Sequence, residues 1–219
     1  MSEHPVMAAV RRAGFEPLGW FAPRTGDDAP EGCRFLLLVG NAGPAMFRRF
    51  ARERASEETL DQWTVRVMLP LVETLGAEAG FPFAAPALPF LRWARAAGAG
   101  HVSPLGLNIH ARFGLWHAYR AALFFPVELD LPRASAGPHP CESCAEKPCL
   151  AACPVGAFTA RGYEVPACVG HLASAAGTGC MTGGCLARRA CPVGRAFTYE
   201  PEQMQFHMRA FLAARLEAT

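Results

Sequence analysis

The cysteines of this chain are concentrated in one region. Eight of the nine lie between Cys141 and Cys191, and Cys33 stands apart from them. Residues 1–14 lack the apolar stretch of a secretory signal and no apolar run reaches membrane-spanning length, so we expect a cytoplasmic protein. Thiols stay reduced in that compartment, and clustered cysteines there indicate metal ligands rather than disulfides. We expect Cys33 to be a small buried hydrophobic residue.

The eight clustered cysteines form two groups that each end in a Cys-Pro pair. Their spacing is C-x2-C-x4-C-x3-C-P in the first group and C-x11-C-x4-C-x5-C-P in the second. In order, the residues are Cys141, Cys144, Cys149, Cys153, Cys168, Cys180, Cys185 and Cys191. The segment CLAACPVGAFT in the first group returns as CLARRACPVGRAFT in the second, which indicates an internal repeat.

This spacing is similar to that of bacterial ferredoxins that bind two [4Fe–4S] clusters, in which the run is C-x2-C-x2-C-x3-C-P. Three thiolates close in sequence can bind three corners of a cubane, and the fourth must come from a distant segment. In that class the cysteine before proline binds the other cluster. The crossover assigns Cys141, Cys144, Cys149 and Cys191 to a first cluster, and Cys153, Cys168, Cys180 and Cys185 to a second.

Structural zinc and disulfides are the alternatives. Two zinc sites of four cysteines each would use paired C-x2-C knuckles, and the sequence has one such knuckle, Cys141 to Cys144. Neither zinc nor disulfides account for the repeated Cys-Pro endings. The pattern therefore favours iron–sulfur clusters, although the irregular second group leaves the individual ligands open.

The charge of the chain argues against a polyanionic partner. The formal net charge is +2, and no block of like charges occurs. We therefore expect neither a nucleic-acid partner nor a membrane surface.

The chain before the cysteines is predicted to be mixed α and β. A linker at 131–140, with three prolines and a glycine, predicts a domain boundary, and Pro201–Leu216 has the pattern of a closing helix. Ser56 is the expected N-cap of the longest helix, which Pro70 would kink or divide. The predicted helices are Val6–Ala13, one from Ala45, one from Ser56 to Leu75, and Leu88–Ala97; the predicted strands are Phe35–Val39, Leu105–His110 and Leu115–Phe125.

The run NIHARFGLWHAYRAALFFPVELDLP from Asn108 resembles the cobalamin-processing protein family, whose human member is defective in the type C disorder of cobalamin metabolism. The family pattern I-H-x-R-F-G-x-W-x-A-x-R is matched throughout, and GPAMFRRF from Gly43 resembles a second family segment. The resemblance implies a nitroreductase-like domain that binds cobalamin base-off, without a protein histidine on cobalt. The contacts that it implies are Gly106, Leu107, Asn108, His110, Arg112, Trp116 and Arg120.

The residues alone leave several roles open in this region. Six aromatic residues could line an apolar slot for a flat macrocycle or could form ordinary core: Phe81, Phe83, Phe90, Trp93, Phe113 and Trp116. His110 and His117 could bind cobalt or could be hydrogen-bonded structural histidines. Arg112 and Arg120 could bind phosphate or carboxylate groups of the corrinoid or of glutathione, or could form ion pairs.

The layout is also similar to that of the epoxyqueuosine reductase family, which joins a cobalamin-binding domain of this kind to a two-cluster ferredoxin domain. The chain departs from that family in three respects. The acidic residue expected near residues 83–86 is absent from FPFAAPALPF, the lysine expected after the A-G-x-G turn is absent from AGAGHVSPLG, and we expect the C-terminal helical-repeat domain to be missing. A carboxylic acid is the expected proton source for epoxide opening, so these departures weaken the case for tRNA modification.

The sequence therefore predicts an α+β fold in which a nitroreductase-like cobalamin-binding domain precedes a bacterial-type two-cluster ferredoxin domain. The predicted domains are 1–135, 136–200 and a C-terminal helix at 201–219. The leading hypothesis is a cobalamin reductase: an unidentified donor supplies electrons to the clusters, which reduce cobalamin and release its upper axial ligand. The alternatives are a cobalamin-dependent reductase of an organic substrate and a plain electron-transfer module, with FMN as an alternative to the corrinoid.

Overall fold

The computed structural model describes residues 3–132 and 137–217. Its elements in chain order are α1 (Pro5–Arg12), β1 (Glu16–Phe21), β2 (Phe35–Ala42), α2 (Ala45–Glu53), α3 (Leu60–Leu75), β3 (Glu78–Gly80), α4 (Phe90–Ala96), β4 (His101–Val102), β5 (Asn108–Ile109), β6 (His117–Phe125), α5 (Pro148–Ala151), β7 (Phe158–Thr159), β8 (Gly162–Tyr163), α6 (Val165–Leu172), α7 (Thr178–Gly183), α8 (Leu186–Arg189) and α9 (Pro201–Leu216). Short 3₁₀ turns lie at Ala175–Gly177 and Arg195–Phe197.

The described residues divide into two compact units. The first is drawn from Met1–Gly100 and His117–Gly137, and the second from His101–Trp116 and Pro138–Thr219. The sequence predicted one boundary within 131–140, of which 133–136 lie outside the described residues. The segment His101–Trp116, which the sequence placed in the first domain, is part of the second unit.

The first unit is built on a four-stranded antiparallel sheet in the order β1-β2-β6-β3. The strand β2 is buried over nearly its whole length, and it pairs with β1 on one side and β6 on the other. The apolar run at Phe35–Val39 predicted this strand, and a continuous apolar run is typical of a strand with both faces covered. The helices α1 to α4 complete the unit.

The longest helix of the first unit begins later than the sequence indicated. Thr59, rather than Ser56, is the N-cap of α3: its hydroxyl accepts the backbone N–H of Gln62, whose side chain accepts the Thr59 N–H. This reciprocal capping box satisfies two backbone donors that a cap at Ser56 would leave open. Pro70 lies inside the helix without dividing it, and Gly76 ends the helix in the left-handed conformation.

The other differences between the predicted and the observed elements mostly concern short strands. The strands β1 and β3 were not predicted, since β1 contains Pro17 and Gly19 with a register shift between them and β3 has three residues. The predicted strand Leu105–His110 shortens to β5, because Leu105–Gly106 forms a turn that reverses the chain. The strand β6 begins at His117 rather than Leu115, and Pro89 delays the start of α4 to Phe90.

The second unit repeats a short structural motif. Each copy of the repeated sequence forms a four-residue helix, α5 in the first and α8 in the second, and these two helices contact each other. The predicted closing helix is confirmed as α9, which packs on α7 and buries Gln203 and Met204. Over the described residues, no helix is long and apolar enough to cross a membrane.

Two glycines and one arginine fix the segment His101–Trp116 within the second unit. A Cβ atom on Gly114 would lie 2.0 Å from the Val193 carbonyl oxygen, and one on Gly194 would lie 2.4 Å from the Phe113 carbonyl carbon. The Arg188 guanidinium donates to the Leu115 carbonyl oxygen at 3.0 Å through Nε. The two backbone segments therefore approach more closely than any side chain at these positions would allow.

Replacing Gly114 with alanine is expected to lower the free energy of unfolding by about 3 kcal/mol or more. The left-handed φ of +58° disfavours alanine, and the new Cβ overlaps the Val193 backbone. Urea unfolding followed by tryptophan fluorescence measures the loss. The matched control is Gly106→Ala, because Gly106 has a similar φ of +71° but open space around it. It should cost only about 1 kcal/mol, and equal losses for the two variants would contradict the close approach.

Candidate metal centre

The thiols of the first predicted cluster interact with one another in the second unit. Burial raises the pKa of the Cys141 thiol, and the thiols of Cys191, Cys149 and Cys144 raise it further. Burial also raises the pKa of Cys149, with Cys191 and Cys144 acting in the same direction. These four cysteines therefore lie within electrostatic range of one another, although Cys191 is distant in sequence from the other three.

The second set of four cysteines surrounds one cavity of about 230 Å³ in the same unit. Its cysteine lining consists of Cys153, Cys168, Cys180 and Cys185. Apolar side chains supply most of the remaining wall, among them Leu105, Leu107, Phe158, Leu172 and Phe211. An apolar cavity bordered by four thiols fits an iron–sulfur cluster, because such clusters bind cysteine thiolates in a shielded environment.

Hydrogen bonds reach the sulfurs of this second set. The Ala157 backbone N–H donates to Cys153 Sγ at 3.4 Å. Burial raises the pKa of the Cys185 thiol, and the backbone N–H groups of Arg188 and Ala187 oppose that rise. Donors of this kind stabilise negative charge on sulfur, which is the charge that a ligating thiolate carries.

Cations lie beside the first set, in addition to the backbone N–H groups that act on Cys149 and Cys191. Burial raises the pKa of the Cys191 thiol, and the exposed Arg195 guanidinium acts in the opposite direction. The exposed Lys147 ammonium has the same lowering effect at Cys141. The two sets are therefore held in different electrostatic surroundings.

A single-ion site is not found in residues 3–132 and 137–217, where no three His, Cys, Asp or Glu side chains converge on one metal position. The four thiolates of a [4Fe–4S] cluster bind four different iron atoms rather than one ion. The donor set, which is four thiols in each of two groups, therefore suits two clusters.

The implied cobalamin contacts are divided between the two units. Gly106 has open space around its Cα, and Leu107 is exposed while also lining the cavity of the second cysteine set. His110 Nδ1 accepts the backbone N–H groups of Arg112 at 3.0 Å and Phe113 at 3.3 Å. Asn108 lies in β5. These residues share one turn region of the second unit, and the Leu105–Leu107 turn in that region borders the cavity.

The two arginines and Trp116 are engaged within their own units. The Arg112 guanidinium lies over the rings of Phe113 and Phe197, at 5.0 and 5.6 Å. Trp116 is buried against Tyr199 at 5.3 Å. In the first unit, Arg120 pairs with Asp61 and donates to the Thr64 hydroxyl. Of the alternatives left open by the sequence, Arg120 therefore forms an ion pair and Trp116 is part of the core.

Most of the aromatic residues considered for a slot are core. Phe90, Trp93, Phe113 and Trp116 are buried. The Trp93 indole N–H donates to the Asp27 carbonyl oxygen at 2.7 Å. Phe81 and Phe83 instead stack on each other at 5.3 Å in the loop before α4, and 41% of Phe83 is exposed. His117 is also buried and lies against the ring of Tyr119.

Arg188, Tyr199 and Tyr163 were not predicted from the sequence. The Arg188 guanidinium lies 4.9 Å from the Trp116 ring and 4.6 Å from the Tyr199 ring while bonding to the Leu115 carbonyl. One signal could have identified Arg188, because the second copy of the repeat is longer than the first by Arg188, Arg189 and Arg195. Tyr163 lines the cavity and gave no signal at the level of sequence pattern.

No protein-family model and no curated protein sequence matches the chain. Among solved structures, an epoxyqueuosine reductase from Streptococcus thermophilus aligns with a TM-score of 0.55 and 13% identity, covering 91% of this chain and 69% of that one. An epoxyqueuosine reductase from Bacillus subtilis, with its catalytic aspartate loop swung out of the active site, aligns with a TM-score of 0.47 and 14% identity, covering 90% and 68%. The first of these likenesses shows that the mixed α and β fold is similar to that of an epoxyqueuosine reductase.

Single cysteine replacements should remove clusters according to the crossover. We expect Cys153→Ala and Cys168→Ala each to lower the iron content from about eight to about four per chain and to abolish the same EPR signal. Cys149→Ala and Cys191→Ala should abolish the other signal. Iron and sulfide analysis with EPR of the dithionite-reduced protein provides the measurement.

Cys33→Ala is the control for these variants, because Cys33 lies in the first unit and donates its S–H to the Phe35 carbonyl oxygen. It should keep the full iron content. Loss of the same signal from Cys149→Ala and Cys153→Ala would contradict the crossover.

Proposed function

We propose that this protein is an iron–sulfur oxidoreductase that passes electrons through two [4Fe–4S] clusters to a cobalamin and thereby reduces an organic substrate. The observation that carries the proposal is the cavity of the second unit. The four thiols of the second cysteine set share its wall with Leu105 and Leu107. The turn from Leu105 to Leu107 belongs to the region that the family resemblance implies to be cobalamin-binding. An electron leaving the second cluster would therefore have a short path toward a cofactor held there.

The similarity in fold to epoxyqueuosine reductase supports an organic substrate over removal of the upper ligand of cobalamin. It extends over 91% of the chain and therefore includes residues from both units. The chemistry common to both candidates is reduction at cobalamin with electrons from iron–sulfur clusters. What distinguishes them is whether a proton must also be delivered to the substrate.

Removal of the upper axial ligand remains the second candidate because of one observation. The loop before α4, in the sequence FPFAAPALPF, contains no carboxylate. Opening an epoxide needs a proton donor, whereas reductive loss of a ligand such as cyanide needs only electrons. Asp61 pairs with Arg120, whose guanidinium lies 5.8 Å from the Phe83 ring of this loop.

The residues of the chain have separable tasks in this proposal. The eight cysteines would hold two clusters, which supply single electrons at low potential. Leu105, Leu172 and Phe211 exclude water from the second cluster. Arg188 fixes the backbone at Leu115 to α8, the helix that follows Cys185. These contacts hold the cluster ligands and the turn at Leu107 in one rigid arrangement.

The exposed turn at Gly106 and Leu107 is the best binding position for the corrinoid within the second unit. Gly106 offers an unobstructed backbone and Leu107 an exposed apolar side chain. His110 Nδ1 is occupied by two backbone donors and cannot bind cobalt through that atom. Bound cobalamin supplies a cobalt centre that accepts electrons one at a time. Trp116, which is buried against Tyr199, contributes to the fold rather than to the ligand.

Anaerobic titration with cob(II)alamin tests the proposal. Purified protein should contain about eight iron and eight sulfide per chain, and cob(II)alamin should change to the base-off EPR spectrum on binding. A parallel titration with FMN tests the alternative cofactor. Full iron content without binding of either cofactor would overturn the proposal and leave an electron-transfer module.

Substrate assays then separate the two candidate reactions. The reduced, cobalamin-loaded protein is supplied with a tRNA stem loop carrying epoxyqueuosine, or with cyanocobalamin in place of the bound corrinoid. We expect reduction of the epoxide, followed by mass spectrometry, to exceed release of cyanide. The Cys168→Ala variant is the control, because it should lose both activities if they depend on the second cluster. Cyanide release without epoxide reduction would favour ligand removal.

A further inference from the structure

Arg188 holds a half-buried positive charge whose described partners are all uncharged. Its guanidinium lies 4.9 Å from the Trp116 ring and 4.6 Å from the Tyr199 ring. Its Nε–H donates to the Leu115 carbonyl oxygen at 3.0 Å. Over the part of the chain that the structure describes, no aspartate or glutamate forms an ion pair with this guanidinium.

A charge held in this way is normally balanced by an anion. Moving an ion out of water has a desolvation cost, which aromatic rings and a carbonyl group offset only in part. Arg120 in the first unit shows the usual arrangement, since 12% of its side chain is exposed and it pairs with Asp61. The surroundings of Arg188 therefore fit a bound anion.

Arg188 lies beside the thiols of the second cysteine set. It follows Cys185 by three residues in α8, which corresponds to about 4.5 Å along a helix axis. Arg188 lines the second cysteine cavity together with Cys185 and the two residues between them. Cys191 of the first set is not among the residues that line this cavity. Arg188 therefore belongs to the wall of the site proposed for the second cluster.

A [4Fe–4S] cluster with four thiolate ligands is an anion of the required kind. Its overall charge is negative, and reduction adds a further negative charge. A fixed cation on the wall stabilises the reduced state more than the oxidised state and so raises the reduction potential. A guanidinium group is always charged in proteins, so this effect requires no change of protonation.

We propose that Arg188 is the counter-charge of the second cluster and raises its reduction potential. The inference rests on the proposed function for the presence of that cluster, and it adds the side chain that sets how readily the cluster accepts an electron. Arg188 thus has an electrostatic task besides fixing the backbone at Leu115.

Two substitutions separate the charge of Arg188 from its structural contacts. Arg188→Gln removes the charge and Arg188→Lys keeps it, while both remove the planar guanidinium that contacts Leu115 and Trp116. In an EPR-monitored redox titration of the iron-loaded protein, Arg188→Gln should shift one midpoint to a more negative potential, and Arg188→Lys should keep it near the parent value. The shifted signal should be the one that Cys168→Ala abolishes. Equal shifts for the two variants would show that the lost contacts, rather than the charge, set the potential.

The matched control is Arg189→Gln, because Arg189 is the next residue of α8 and its side chain is exposed. This variant removes the same charge from the same helix, but water and salt screen an exposed charge. Its effect on the midpoint should be clearly smaller than that of Arg188→Gln. A shift of the same size would mean that net charge alone matters, and the specific role of Arg188 would be rejected.

A second measurement covers the outcome in which Arg188→Gln does not fold. Citrulline at position 188 has nearly the shape of arginine and keeps the Nε–H, but it carries no charge. It can be introduced into the full chain by ligating a synthetic segment 185–219 at Cys185, with the same ligation carrying arginine as its control. The citrulline protein should show the same negative shift, or should retain about four of about eight irons through loss of the second cluster alone.

The possible failures are distinguishable. A parent protein without iron would overturn the proposed function and this inference together. A protein with full iron content whose midpoints are unaffected by the neutral replacements would overturn the role of Arg188 alone.

Discussion

Burial of thiols around a shared apolar cavity is the interaction on which the second unit depends. Removing a thiol from water raises its pKa, and neighbouring thiols raise it further, as at Cys168 and Cys185. A buried thiolate is therefore unfavourable unless positive charge and hydrogen bonds compensate for the lost solvation. Bound iron would supply that charge, and backbone N–H groups such as that of Ala157, which donates to Cys153 Sγ, supply hydrogen bonds. Cluster binding and folding of this unit are expected to be coupled for that reason.

The internal repeat gives this arrangement its geometry. Each copy places a cysteine before a proline, at Cys153 and Cys191, and these residues interact electrostatically with cysteines of the other half of the sequence. Helices α5 and α8, one from each copy, contact each other. The copies differ by the insertion that includes Arg188, which fixes the segment His101–Trp116 to the unit. The insertion that makes the second cysteine group irregular in sequence therefore contributes a contact that holds the unit together.

Some elements were predictable because their signals are local. The strand β2 followed from one apolar run and α9 from a helical pattern that begins at a proline. The N-cap of α3 was misplaced because Ser56 and Thr59 both have capping side chains, and only the position of Gln62 selects Thr59. The strands β1 and β3 carry weak patterns of their own and exist because β2 and β6 offer them hydrogen-bonding partners. For Trp93 and Trp116, the choice between slot and core depended on contacts with residues distant in the sequence.

The sequence by itself determined that eight thiols occur in two related groups, because metal chemistry constrains cysteine spacing directly. It also determined the closing helix and the buried central strand, since hydrophobic periodicity is a property of neighbouring residues. Tertiary structure alone decided which thiols meet, and that Leu107 and Tyr163 share a cavity with the second set. It also decided that the segment His101–Trp116 joins the second unit. The physical reason is that close approach of backbones, such as that of Gly114 to Val193, depends on the whole fold and leaves no periodic trace in the sequence.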